Sequence, residues 1–440
     1  QGFSPLQRVI ATLISPEIEQ PVAQHIIPSS MVAGQCLLAT AAFHALVSKP
    51  EGPDHGAFHA FMRQHGREYA PGSDEYHERF ALFSRRAAEA EAHNAQPGRL
   101  WTAGINWLSD RTDAELMQLH GWRGAAAPAA EAGRAYSLYL NQLGQGRPLP
   151  EESMNWTMLP AAKQIKDQGE CSSCWAVSSA KTLELHHQIY RPKHPRTFSA
   201  QELVSCMPNP HKCGGKGGCE GATAELAFDW VMKHGLAQED EVPYKGVTGT
   251  CPRSGAGSGA TAQLGRHSPS PEDLSRLGVR EAPVGAPGLD FGMCGWERLP
   301  SNSYAAVLRA VYEHGPMVVA VSAEAWHPYQ GGIFDGCPRD AIPNHGVVLM
   351  GYGKDPDSGT LFWDIQNSWG PSWGEGGHMR VLRHEGDGER CGVDRHPEKG
   401  IACEGGPKEV KVCGMCAVLF DAVLPRFQCG ILPEPSTPLL

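Results

Sequence analysis

Apolar and polar positions run in helical register early in the chain and in strand register later. Between 57 and 96, Phe58, Phe61 and Met62 share one helical face. Glu75, Arg79, Phe83 and Arg86 follow at three-to-four spacing, so this stretch reads as helices. The run Cys174–Tyr190 (CWAVSSAKTLELHHQIY) sets Val177, Ala180, Leu183 and Ile189 roughly on one side and predicts a long helix. Ala224–Lys233 predicts a second, and Ser303–His314, closed by Gly315-Pro316, a third. After it, MVVAVSA, HGVVLMGYG and LFWDIQNSWG read as short strands with turns. Helices first and strands afterwards predict an α+β protein with two segregated halves.

The remaining segments lack such order. Residues 1–54 show no usable periodicity and form a leader. Within it, the apolar stretch from Met31 to about residue 48 reads either as a signal peptide or as a buried or disordered leader. Gln35 and His44 interrupt it, and it is too short to span a bilayer. Ala, Gly and Pro dominate Gly124–Pro150, which reads as an exposed linker. Residues 252–295 are rich in Gly, Ser and Pro and read as a long surface insertion. Gly 51 and Pro 35 predict many loops in a chain of 440 residues, enough for two or three folding units.

Charge and cysteine content narrow the class. A net charge of −10 without any basic run argues against nucleic-acid binding. Of 14 cysteines, only Cys36 precedes residue 171, and such density points to disulfides made in the secretory pathway. Asn155-Trp156-Thr157 is a glycosylation sequon usable in that setting.

The densest chemistry lies in Gln168-Gly-Glu-Cys171-Ser-Ser-Cys174-Trp175-Ala176. A thiol attacks as its thiolate, and a cysteine opening a helix meets free N–H groups that favour negative charge. Gln168 and the Cys174 N–H are candidate donors to a developing oxyanion. This stretch resembles the active-site signature of the papain-like cysteine peptidases of the cathepsin L type, with Ser172 where the family has Gly. Asn344-His345-Gly346 and Asn367-Ser368-Trp369-Gly370 supply the later His and Asn in the family's order. The resemblance implies Cys174 as nucleophile, His345 as base, Asn367 as the residue orienting the imidazole, and Trp369 as its shield.

A second resemblance lies upstream. Glu75, Arg79, Phe83 and Asn94 follow the interrupted helical pattern of the cathepsin L type inhibitory propeptide. Gly104, Asn106, Leu108 and Asp110 follow its second motif, with Leu for the usual Phe. The implied organisation is an inhibitory propeptide at 55–120, a propeptide tail at 121–150 running through the cleft, a catalytic domain at 151–425 and a tail at 426–440. The implied architecture is a two-lobed papain-like fold, with a helical left lobe and a β-barrel-like right lobe, preceded by a helical propeptide domain. Low pH would loosen the propeptide as carboxylates such as Asp110 lose their charge.

By the same resemblance, Cys171 pairs with Cys219, Cys206 with Cys251 and Cys337 with Cys391. Cys213, Cys294, Cys403, Cys413, Cys416 and Cys429 are left unassigned. Cys413-Gly-Met-Cys416 offers zinc, redox and structural readings, of which structural bridges are favoured. Gly221 is placed to pair with an extended peptide, and Ala222 stands where the family has a second Gly. Thr223, Ala224 and Ala320 map to a roomy, apolar pocket for the residue preceding the scissile one, floored around Arg395–His396. Nothing between Cys206 and Cys219 resembles an occluding loop, which favours an endopeptidase.

The reading is thus a monomeric cysteine endopeptidase made as a self-inhibited zymogen. It acts on protein and peptide substrates, with no metal or organic cofactor and no nucleic-acid or membrane partner. Its place is a lysosome- or vacuole-like compartment or the extracellular space, and its mature start lies between about 145 and 156. A thiol–disulfide oxidoreductase using Cys171/Cys174 or Cys413/Cys416, and a catalytically silent protein of the same fold, are the rivals.

Overall fold

Two aromatic-faced helices open the described chain because Phe58 and Phe61 leave water by meeting Tyr76 and Phe83. The computed structural model describes residues 55–121, 153–252, 279–281, 285–386 and 390–427. All of these fall in one unit spanning 50–440. The leader and most of the linker lie outside the described residues. Helix α1 (His55–Gln64) packs on α2 (Asp74–Asn94), with the Phe83 ring 5.3 Å from Phe58 and 4.9 Å from Phe61. Ser73 caps α2 by accepting the Tyr76 N–H at 3.1 Å, and Asp74 and Glu75 suit its first-turn dipole.

The propeptide-type motifs hold this pair to the chain that follows. Asn94 closes a reciprocal bond pair with Ala103 (2.8 and 3.0 Å), fixing the short strand β1 (Trp101–Ala103). Asp110 is fully buried and accepts from Arg67 (2.9 Å) and Tyr69 (2.7 Å). Arg79 pairs with Glu115, which also completes a capping box with Thr112 on α3 (Asp113–Met117).

Past the linker, β2 (Met154–Asn155) leads to α4 (Cys174–Tyr190), α5 (Ala200–Cys206) and α6 (Ala224–His234). Then come β3 (Val279–Glu281), β4 (Gly295–Arg298), α7 (Tyr304–Glu313) and β5 (Met317–Val321). The last elements are β6 (Tyr329–Phe334), β7 (His345–Lys354), β8 (Leu361–Gln366), β9 (His378–Leu382), β10 (Gly392–Asp394), β11 (Val410–Val412) and β12 (Asp421–Arg426). Helices and strands are segregated as expected. The α4 stripe, however, is no stripe: the helix is buried from Cys174 to His187. It packs on α5, α6 and β7 together, so even Lys181 and Glu184 lie inside, paired with each other. Lys181 also donates to the Ala161 carbonyl at 3.0 Å, and Glu184 accepts the Phe198 N–H at 3.2 Å. Buried charge is tolerated where it is paired and hydrogen-bonded in this way.

The strands run β1-β6-β9-β8-β7-β5-β12-β4-β3, with β2 added beside β7. This sheet is open, which corrects the barrel-like expectation for the right lobe. One end is β1, so the propeptide region supplies an edge strand to the catalytic part (Trp101↔Gly332). The other end bears on the surface-insertion reading of 252–295, of which 253–278 and 282–284 lie outside the described residues; the described part is not all surface. Strand β3 pairs with β4, and Phe291 and Met293 are buried in the helical half's core. Gly and Pro flanks masked those two anchors in the sequence.

Five disulfides join described cysteines: Cys171–Cys219, Cys206–Cys251, Cys213–Cys403, Cys337–Cys416 and Cys391–Cys413. The expected Cys337–Cys391 bridge is therefore wrong. Strands β10 and β11 form an antiparallel hairpin with Gly392 opposite Val412, which sets Cys391 opposite Cys413. Cys337 instead meets Cys416 in the next turn. Cys413 and Cys416 are thus bound to different partners and not to each other. Cys294 is also bonded, and Cys36 and Cys429 lie outside the described residues. Peptide mapping without reduction is expected to recover Cys337 with Cys416, and a Cys337–Cys391 fragment would refute this pairing. Replacing Cys391 and Cys413 by serine is expected to cost about 3 kcal/mol in chemical denaturation, as a loop of that size predicts.

Candidate active site

The first turn of α4 meets the first residues of β7, and the site forms at that junction. Cys174 is the helix's first residue, and its Sγ accepts the Gly346 N–H at 3.3 Å. His345 starts β7, fully buried, and its Nε2 lies 2.8 Å from Asn367 Oδ1. Asn367 Oδ1 also accepts the Ser368 N–H at 2.8 Å. An acceptor at Nε2 places the proton there and the lone pair on Nδ1. Trp369 is wholly buried with its ring 5.1 Å from His345, and Trp326 stands edge-on at 6.3 Å. The His345–Asn367 bond therefore runs in a dry aromatic enclosure. Trp369 acts as wall to that bond and is covered by the His120 and His327 rings.

Gln168 completes the group. Its Nε2 donates to the Leu119 carbonyl at 3.0 Å and to Cys171 O at 2.9 Å. Its Oε1 accepts from Ser368 Oγ at 2.6 Å, and Tyr244 OH donates to its main-chain carbonyl at 2.8 Å. Tyr244 also shares a 2.6 Å bond with Ser173 Oγ. Sequence reasoning missed Ser368 and Tyr244 as supports of Gln168. Ser368 lay in plain view between Asn367 and Trp369, whereas nothing local marks Tyr244.

Residues 118–121 lie across the thiol; of the 121–150 expected to run through the cleft, 122–150 lie outside the described residues. Ser172 Oγ holds the Gln118 carbonyl (2.9 Å), Gln168 holds that of Leu119, and the Gly121 N–H donates to Asn344 O (2.8 Å). Ser172, the departure from the family's Gly, thus touches the propeptide. A Cβ on Gly121 would stand 2.8 Å from Cys174 Sγ. Gly221 has φ +91°, and a Cβ there would overlap the Gly121 carbonyl, so the close approach requires glycine on that side too.

Covering the site sets its charge state. Burial pushes the Cys174 thiol up to about 11, against the N–H groups of Gly346, Trp175 and Cys174 that favour the anion. Burial lowers His345 to about 4, although Asn367 favours the cation. Thiol and imidazole are both neutral under the cover. Opening the cleft readmits water and relieves the same cause in both.

A small cavity adjoins the pair. Ala222, Thr223, Ala224 and Ala320 line it, as do Glu225 and Asp421. The Arg395–His396 floor is a correction: neither residue lines the cavity, Arg395 pairing with Asp340 and His396 with Glu398 at the surface. The disulfide-closed β10–β11 hairpin precedes β12, so the strand reaching the pocket comes later than a residue count suggests. The fairly apolar pocket expected from small walls also has Glu225 and Asp421 in its lining. No group of three or more His, Cys, Asp or Glu among the described residues could hold a metal ion.

A helix-borne thiol, a strand-borne imidazole held by an asparagine and a segment drawn over both are arranged as in precursors of the thiol-protease class. The chain belongs to the papain family of cysteine proteases, which matches residues 150–284 and 292–401. The cathepsin propeptide inhibitor domain matches residues 58–116. The oryzain beta chain of Oryza sativa subsp. japonica is 32% identical over 70% of this chain and 58% of its own length. Cysteine proteinase RD21A of Arabidopsis thaliana is 29% identical over 78% of this chain and 66% of its own. Cysteine endopeptidase Rep1 of rice is 31% identical over 76% of this chain and 79% of its own. The chain thus spans less than two thirds of the first two relatives. Among solved structures, the recombinant stem bromelain precursor aligns with TM-score 0.59 and 25% identity, over 85% of this chain and 98% of that one. Procathepsin L2 from Tenebrio molitor larval midgut shares the fold at TM-score 0.60 and 22% identity, over 84% of this chain and 98% of that one.

The intact chain carrying Gly121→Val is expected to alkylate at Cys174 with iodoacetamide about tenfold faster at pH 7 than the native chain, because the methyl groups push 118–121 off the sulfur. An unchanged rate would show that these residues do not seal the thiol.

Proposed function

We propose that the processed chain is a cysteine endopeptidase whose precursor is held inactive by residues 55–121. Cys174 attacks the scissile carbonyl, and His345 takes the thiol proton at Nδ1 and returns it to the leaving amine. Asn367 keeps the proton on Nε2. The Cys174 N–H and Gln168 Nε2 stabilise the oxyanion. Water then resolves the acyl-enzyme. The observation that carries this reading is the Leu119 carbonyl on Gln168 Nε2, a peptide oxygen held beside the thiol where a substrate's would sit. Glu220-Gly221 lies against the covering segment, as an edge would against an extended peptide. Bonding of both CxxC pairs to outside partners, with Cys174 unpaired, disfavours the oxidoreductase alternative. Five disulfides support an oxidising compartment. No helix among the described residues is long and apolar enough to cross a membrane. Cleavage between about 145 and 156 would free the mature enzyme, acting as a monomer in an acidic or extracellular compartment.

After acid processing, Cys174→Ala is expected to lower kcat/KM for a fluorogenic dipeptide by more than about 10³-fold, and Asn367→Ala by about 10-fold or more. Full activity of Cys174→Ala would sink the reading.

Release of the cover should follow two titrations. His120, on the covering segment, stacks 5.5 Å from His327 and 6.3 Å from His345. Burial holds His120 well below its ordinary 6.5, with His327 and His345 adding to the effect. His327 is lowered to about 3 by burial, Arg86 and His345. Depressed histidines favour the closed form above pH 6.5, and that advantage falls away as pH drops below 6.5. Glu115 is opposed by burial, but Arg79 and Thr112 hold it down to about 2, so its contribution is lost only below about 4.5. Processing should therefore begin between pH 6.5 and 4.5, before Glu115 titrates. Replacing His120 by Phe is expected to move the midpoint of autoprocessing, followed by gel, down by about half a pH unit. No movement would exclude His120 as a sensor.

A further inference from the structure

We infer that Tyr244 is a positioning residue for the oxyanion site: it keeps Ser173 from capping α4 and so keeps the Cys174 N–H aimed at the reacting carbonyl. This rests on the endopeptidase reading and concerns how its two oxyanion donors are held. Tyr244 lies in the loop after α6, and its hydroxyl stands between two groups of the active-site turn. It donates to the Gln168 main-chain carbonyl at 2.8 Å and shares a 2.6 Å bond with Ser173 Oγ. A carbonyl can only accept, so the single phenol proton goes to Gln168 and Ser173 must donate to the phenol oxygen. Burial pushes the Tyr244 phenol up to about 12, against the pull of the Ser173 bond, so that proton stays in place at any working pH. Ser173 and Gln168 are both fully buried. A further contact of Ser173 Oγ, to the Cys171 carbonyl, is 3.5 Å long and weak.

What the serine would otherwise do gives this bond its importance. Ser73, Ser199 and Ser303 precede α2, α5 and α7, and each hydroxyl accepts the N–H three residues on. Their ψ angles are 158°, 106° and 103°. Ser173 stands at the same position before α4, yet its ψ is 16° and its side chain makes no capping bond. Its carbonyl takes the Ala176 and Val177 N–H groups, each at 2.9 Å. Serine is a favoured cap residue, so the pull toward a capping conformation is intrinsic to the sequence. Swinging Ser173 to a capping ψ would turn the Ser173–Cys174 peptide by about a right angle or more. That peptide carries the Cys174 N–H, one of the two oxyanion donors. The bond to Tyr244 ties the Ser173 hydroxyl to the loop after α6 and away from the Ala176 N–H. The same tyrosine fixes the main chain of Gln168, whose side chain is the second donor.

The test uses the full chain after acid activation, with active sites counted by an epoxide affinity probe and rates expressed per counted site. Tyr244→Phe is expected to lower kcat/KM for a fluorogenic dipeptide about tenfold, part of what loss of a whole oxyanion donor costs. Its inhibition by a peptide whose scissile carbonyl is reduced to a methylene should stay within about twofold of native, because that ligand has no oxygen to stabilise. Ser173→Ala, which cannot cap, should keep kcat/KM within about threefold of native. Adding Ser173→Ala to Tyr244→Phe should bring the slow variant back to within about threefold of native, a rescue that a merely structural tyrosine does not predict. A double variant no faster than Tyr244→Phe overturns the inference, as does a Tyr244→Phe enzyme within about twofold of native. A loss of about tenfold in Ser173→Ala alone overturns it too, whatever becomes of the tyrosine variant's folding. In each of those outcomes the endopeptidase reading stands. No turnover by the native chain, with no probe incorporated, overturns that reading and this inference with it.

Discussion

Everything in this molecule is arranged around holding the first turn of one buried helix against the start of one strand. Cys174 and His345 belong to different halves, and neither has chemistry alone. Their junction is a close one: the Gly346 N–H reaches the sulfur, and a Cβ at Gly346 would already touch Ser178 Oγ at 3.4 Å. A helix enclosed by α5, α6 and β7 cannot slide without breaking the bonds from Lys181 to the Ala161 carbonyl and from the Phe198 N–H to Glu184, which would leave the interior charges under-satisfied. The internal charges act as a register mark along the helix axis. That register fixes the nucleophile relative to the imidazole.

On the proposed reading, the same junction keeps a precursor silent without disassembling the site. Gln168, Asn367 and His345 keep their hydrogen bonds while residues 118–121 exclude water. Dehydration alone pushes thiol and imidazole toward neutrality. Preformed geometry and suppressed charge coexist, so release of the cover demands no rebuilding of the catalytic group.

What could be read from the sequence was whatever lies in short contiguous words. Gln168 through Ala176, Asn344-His345-Gly346 and Asn367-Ser368-Trp369 carry their spacing with them, as do Glu75, Arg79, Phe83 and Asn94. Features assembled from remote strands were not legible. Cys337 was matched to Cys391 because the hairpin that turns Cys391 toward Cys413 has only three-residue strands. Asp421 was missed because β12 follows that hairpin, and Glu225 looked like an ordinary helix-starting acid. His120 and His327 meet only through tertiary packing, and neither belongs to a motif. Phe291 and Met293 hid among glycines.

One covalent arrangement has an evolutionary corollary. The Cys391–Cys413 bridge closes the base of the 392–412 excursion, and Cys337–Cys416 pins the chain just beyond it. Cys416 is held there in a left-handed backbone conformation (φ 56°) before β12 begins. The strand bearing Asp421 is thus anchored independently of the excursion's contents. Insertions and drift between the two bridged cysteines can accumulate without relocating the strand that borders the cavity, which leaves this excursion free to vary in length.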